Sequence, residues 1–155
     1  MPSRILRTEA DREAFQIFLQ GMKLPATIEY TQGADRSSEQ NRLQFLWSHE
    51  AAQQRGDVTF EEVRHEWKLR YGVPILRRDS AGFRAVYDKM LKPLGYTDKL
   101  ELMAYMPVTS EFSVRQMIEY LDTVQRETLQ QGIVLTDPDP DLAAYHSRYR
   151  MKPAA

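Results

Sequence analysis

Along most of this chain apolar residues recur at intervals of three and four, and over two short stretches they alternate with polar ones. Ile5 and Leu6 suit a short strand. Thr8 can then cap a helix carrying Ala14, Phe15, Phe18 and Leu19 at helical spacing, with Gly21 as its end. In "LPATIEYTQ", Ala26, Ile28 and Tyr30 alternate with Thr27, Glu29 and Thr31, the period of a half-buried strand. Leu43, Leu46, Trp47 and Ala51 share one face of a helix reaching to about Arg55, which Gly56 and Asp57 break. Thr59 and Glu62 have capping-box spacing before a stripe of Phe60, Val63, Trp67 and Tyr71, for which Gly72 is the natural terminator. "VPILRRD" reads as a loop holding Arg77 and Arg78. Phe83, Val86, Tyr87, Met90, Leu91 and Leu94 make the most regular amphipathic run, expected to be a core-facing helix ending near Pro93.

In "KLELMAYMPV", Leu100, Leu102, Ala104 and Met106 alternate with Glu101, Met103 and Tyr105, which reads as a further strand stopped by Pro107. Ser113 and Gln116 repeat the capping-box spacing before a long helix with Val114, Met117, Ile118, Leu121, Val124 and Thr128, closed by Gly132. A short last helix starts with Asp139 as cap and Pro140 as first residue. The pattern predicts an α+β fold, mostly helical with a small two- or three-stranded sheet.

At 155 residues, 42% hydrophobic and 28% charged, the chain suits one domain over 1–155, with a basic tail from about 144. No stretch has the apolar length of a membrane span and "MPSRILRTEA" lacks the apolar run of a signal peptide, so a soluble cytoplasmic protein is expected. Zero cysteines exclude disulfides, thiolate zinc sites and thiol nucleophiles. The net charge of −1 gives no overall attraction to nucleic acid, but the charge is unevenly spread. Between Arg64 and Lys92 bases dominate, between Glu111 and Asp141 acids do, and "YHSRYRMK" is basic again.

The polar hexapeptide "RSSEQN" precedes the third apolar segment. Ser37 and Gln40 have the spacing of another capping box, which explains two of its six residues structurally. Arg36, Asn41 and Arg42 are not needed for capping, and their donors could join the amides of a first helical turn in holding a phosphate. Single-strand binding asks for cations along a phosphate track and aromatic rings for bases. "WKLRYG" and "YHSRYRMK" interleave both, although Trp67 and Tyr71 lie on an apolar stripe of the kind that usually forms core. Arg64 and Lys68 are i,i+4 neighbours pointing away from that stripe. Glu62-x-x-His65 lacks the second copy a di-iron bundle needs, the histidines His49, His65 and His146 are scattered, and the prolines of "DPDPD" favour a stiff turn. No catalytic residue, metal site or cofactor is expected.

"RSSEQN" after a strand-like segment, and "MPVTSEFSVRQMIEYLDTVQRETLQQGIVLTDP" later, resemble the phage NinB family of recombination proteins, also called the Orf family after its lambda member. That family has an Arg-Ser-x-x-Gln-Asn signature and, in its second half, a Thr-Ser segment before a long helix ending at Gly. The lambda protein has tryptophan four residues after the signature's asparagine; here that position is Phe45, with Trp47 two residues later. The resemblance implies an α+β homodimer that binds single-stranded DNA without catalysing a reaction, contacts the host single-stranded DNA-binding protein and helps load a recombinase. The DNA-binding residues expected are Arg36, Asn41, Arg42, Arg64, Lys68, Arg70, Arg77, Arg78, Arg84, Arg148, Arg150 and Lys152. Charge reversal at Arg77 and Arg78 is then expected to weaken binding. The alternatives are a metal-dependent nuclease of phage DNA metabolism and an adaptor that binds only proteins.

Overall fold

The computed structural model describes residue 4, residues 6–30 and residues 35–151. Among them every regular element is helical, so the small sheet is not there and the fold is all-α. The chain divides into two compact units, Met1–Glu39 and Gln40–Ala155.

In the first unit, Thr8 caps α1 (Glu9–Gln20) as its sequence implies: Asp11 N–H donates to Thr8 Oγ1 at 3.1 Å, and the Asp11 carboxylate accepts from the Thr8 amide at 3.0 Å. Gly21 follows as C-cap. Residues 22–30 carry the expected alternation but form no regular structure, leaving Leu24, Ile28 and Tyr30 exposed. Thr31 of that expected strand and Ile5 of the one before α1 lie outside the described residues. A strand needs a ladder partner for its backbone groups, and the segment that should have supplied one is a helix.

That segment is α6 (Tyr96–Met103), started by Gly95. Met103 is buried and Leu100 half-buried while Leu102 is 38% exposed, so burial there follows a spacing of three and not of two. Short apolar runs satisfy both periods, and here the helical one fits the neighbouring helix. The ammonium of Lys68 fixes the outcome by donating to the carbonyls of Met103 and, at 2.6 Å, Met106, two acceptors left over at the end of α6.

The remaining helices are α2 (Asp35–Arg55), α3 (Phe60–Trp67), α4 (Val73–Asp79), α5 (Ala81–Met90), α7 (Val114–Gln130) and α8 (Pro140–Met151). Gly56 ends α2 with φ of +80° and Gly132 follows α7 with φ of +82°, the left-handed conformation that glycine tolerates best. The capping boxes at Thr59/Glu62 and Ser113/Gln116 are both closed, with side-chain to amide distances of 2.8–3.2 Å. Asp139 caps α8 through bonds from the amides of Asp141 and Leu142.

Two expectations fail between α3 and α4. Gly72 does not end the helix, and "VPILRRD" is not a loop but α4; a π-helical turn, Lys68–Gly72, joins the two into one rod. Pro74 has no amide hydrogen and would break a regular α-helical ladder, a defect that a wider turn accommodates. The rod consequently has two apolar faces. Val63, Trp67 and Ile75 enter a core with Leu43, Trp47 and Ala51 of α2, Met117, Tyr120, Leu121 and Val124 of α7, and Leu142 of α8. Leu69, Val73 and Leu76 enter a second core with Tyr87, Met103 and Val108, and Phe112 packs against both.

After α7 the extended segment 133–136 lies along α2. Ile133 and Leu135 are buried, and α2 supplies the polar partners that a neighbouring strand would. Trp47 Nε1 donates to the Thr136 carbonyl at 2.6 Å, Gln54 bonds both the carbonyl and the amide of Val134 at 2.7 and 2.9 Å, and Glu50 accepts from the Thr136 amide at 2.9 Å.

Candidate nucleic-acid interface

α2 has two faces of different chemistry. Leu43, Trp47 and Ala51 enter the core, whereas Asn41, Arg42, Phe45 and Leu46 are exposed. The helical repeat puts Asn41, Phe45 and His49 on one line at i, i+4 and i+8. Phe45 is 51% exposed, and its ring centroid lies 4.2 Å from that of His49. His49 in turn stacks on Phe60 at 4.0 Å with 18° between the planes, and Phe60 meets Phe45 edge-on at 5.5 Å. Phe60 is the first residue of α3, so the Thr59/Glu62 capping box sets its position. The His49 Nδ1 lies 3.0 Å from the Phe45 carbonyl, which can only accept, so the ring donates there and its orientation is fixed. The result is a three-ring aromatic platform at the surface, with the amide of Asn41 and the guanidinium of Arg42 one helical turn away.

The hexapeptide does not work as a capping box. α2 already begins at Asp35, so Ser37 and Gln40 lie inside it. Gln40 is 2% exposed and faces α8, where its Nε2 lies 3.1 Å from Nε2 of His146, also 2% exposed. Burial pushes the His146 pKa down, and the charge of Arg150 adds to this. Arg36 falls in the first turn of α2.

The cations of the middle segment are mostly engaged. Lys68, with its pKa pulled down by burial, points at the end of α6 and not to solvent. Arg64 is half-buried, with a buried Nε that no acceptor among the described residues reaches. Arg70 pairs with Glu66 at 3.6 Å and lies over the Tyr96 ring at 5.8 Å. Arg77 holds Asp88 through Nε and a terminal nitrogen at 3.0 and 2.6 Å. Arg78 forks onto both Asp79 and Glu119, which raises its own pKa and, with Gln116 also donating, lowers that of Asp79 to about 2. Arg84 is exposed, and no carboxylate among the described residues pairs with it. In the basic tail Arg148 lies 6.0 Å from the centroid of Tyr145, and Arg150 is forked onto Asp122 of α7. Residues 144–151 are thus the second half of a helix whose Leu142 and His146 are buried, and Lys152 lies outside the described residues.

Asn41 and Arg42 are the expected residues on the helix that carries Phe45 and His49, while Arg70 lies over Tyr96 and Arg148 beside Tyr145. Trp67, at 4% exposure, is core and unable to stack on a base. The platform's second and third members escaped the sequence reading. Phe45 and His49 could have been found by their i,i+4 spacing, but Phe60 is brought in by the turn between α2 and α3, which periodicity does not describe.

Among the described residues no group of three or more His, Cys, Asp and Glu is placed to hold a metal ion, and no helix is long and apolar enough to cross a membrane. No protein-family model, no curated protein and no solved structure matches this chain.

Proposed function

We propose that this is a cytoplasmic, non-catalytic, single-stranded-DNA-binding protein of the phage NinB type: a homodimeric recombination mediator that acts with the host single-stranded DNA-binding protein to promote recombinase loading. The observation that carries this reading is the exposed Phe45 ring, backed by the half-buried His49 and Phe60 rings, beside Asn41 and Arg42. Aromatic faces at a protein surface suit unstacked bases, whose rings are hidden inside a duplex, and the neighbouring guanidinium and amide suit a phosphate. The two sequence blocks that resemble the family support the same reading, because the platform is built directly onto the first of them. Preference for particular bases should be slight, since every base offers a π-face.

Fluorescence anisotropy with labelled oligo-dT and a duplex of equal length tests it. The single strand should bind more tightly, with affinity falling steeply as salt rises. Phe45→Ala should weaken binding by about 1–3 kcal/mol, or roughly 5- to 150-fold. Absence of single-strand binding at low salt would sink the proposal.

A further inference from the structure

Arg64 and Lys68 lie one helical turn apart on the rod that runs from α3 through the π-helical turn into α4, and the charge they bring is not balanced locally. Of the acids of α3, Glu62 is taken by the Thr59 amide and Glu66 by Arg55 and Arg70, while Glu61 is exposed and acts on His65. No carboxylate among the described residues pairs with Arg64 or Lys68. The excess is felt by the neighbours. Burial and then the Arg64 charge hold the Lys68 pKa down, and burial followed by the charges of Lys68 and Arg64 does the same to His65.

A second, independent feature comes from α7. Tyr120 is wholly buried, with its ring centroid 5.5 Å from that of Phe112, and its hydroxyl has no hydrogen-bond partner among the described residues. Burial pushes its pKa up, and the Arg64 charge, which reaches this hydroxyl, opposes that push. The Arg64 Nε is the other buried group there without a partner among the described residues. A buried donor left unpaired costs more than a made bond gains, so two of them within reach of one charge call for a shared acceptor.

That acceptor must take a bond from an N–H and an O–H, offset the charge of two cations, and be small, because Tyr120 is fully enclosed. Water meets the first and third demands but leaves the charge unbalanced; phosphate meets the first two and is too large. We propose that a halide ion such as chloride binds between the Arg64 Nε and the Tyr120 hydroxyl, with the Lys68 ammonium as the second positive charge. Lys68 is itself fastened to the Met103 and Met106 carbonyls, so it contributes charge without being a ligand. Arg64 is half-buried, and a swing of its long stem admits the ion from the surface while Tyr120 stays packed. The site lies where the rod meets α7 and the end of α6, and it does not depend on the aromatic platform.

Thermal unfolding of the full chain, followed by circular dichroism in sodium chloride and in sodium glutamate at equal ionic strength, separates a bound halide from general screening. Tyr120→Phe keeps the ring and removes the hydroxyl, and Arg64→Gln removes the charge; comparing each with the parent chain cancels the effect of glutamate on protein surfaces in general. The gain in midpoint on passing from glutamate to chloride should be about 2–4 °C larger in the parent chain than in either variant. Crystals of the parent chain grown in sodium bromide give a direct view, and an anomalous peak between Arg64 and Tyr120 is expected. An equal gain in the parent chain and the folded variants, or scattering at that place that is solvent without an anomalous signal, overturns the proposal.

Discussion

A methyl group on Gly72 would lie 2.8 Å from Cγ1 of the buried Val108, with the rings of Phe112 and Tyr120 closing the space at 3.6 and 3.7 Å. Alanine improves helix propensity by roughly 0.5–1 kcal/mol, but overpacking a filled core costs about 1–3 kcal/mol. The steric cost wins, so Gly72→Ala should lower stability by about 1–2 kcal/mol in urea denaturation, and Val108→Ala in the same chain should recover part of that through the space it opens. Asp79 gives a pH-dependent case. Its carboxyl is held at about 2 against an ordinary 3.8 by Arg78 and Gln116, so its contribution is present above pH 4 and disappears as pH falls from 4 towards 2. Asp79→Asn should flatten that part of an acid-unfolding curve. The forks are at the surface, so their worth at neutral pH is small.

α8 is pinned at one point by a buried imidazole that must stay neutral. Its pKa is lowered in the folded state, so the folded protein resists a proton that the unfolded chain accepts; stability is full above pH 6.5 and declines as pH falls through the folded value. The thermal midpoint should therefore drop between pH 7 and pH 5, and the drop should shrink in His146→Gln, which differential scanning calorimetry can follow. At this scale the sequence was legible where a local rule sufficed. The caps Thr8, Thr59, Ser113 and Asp139 and the breaks at Gly56 and Gly132 depend on a few adjacent residues, and they stand where spacing puts them. Strands depend on a distant partner, which the run from Leu100 to Met106 could not provide once it was helical. Gly72 misled for a related reason: it is small because Val108 approaches it, not because the helix stops. Val86 and Met90, at 60% and 62% exposure, continue an apolar stripe with no core against it among the described residues, so the regularity of their pattern overstated the burial of α5.

For the whole molecule, local charge excess proved a poor guide to free charge, because Arg77, Arg78 and Arg150 reach acids that are 11, 41 and 28 residues away. A double substitution Arg77→Ala and Arg78→Ala should accordingly leave oligo-dT affinity within about twofold, whereas Arg42→Ala should weaken it and reduce the salt slope by about one. Anisotropy titrations across a salt series separate the two. Association of the chain with other copies of itself meets a different constraint at the segment 133–136. An extended stretch with an exposed Val134 is the usual template on which a foreign strand grows, but the amide and carbonyl of both Val134 and Thr136 are already occupied by side chains of α2. Gln54 thereby leaves a foreign strand no backbone group to pair with at Val134, and Gln54→Leu should make the protein scatter light on warming before its helices melt.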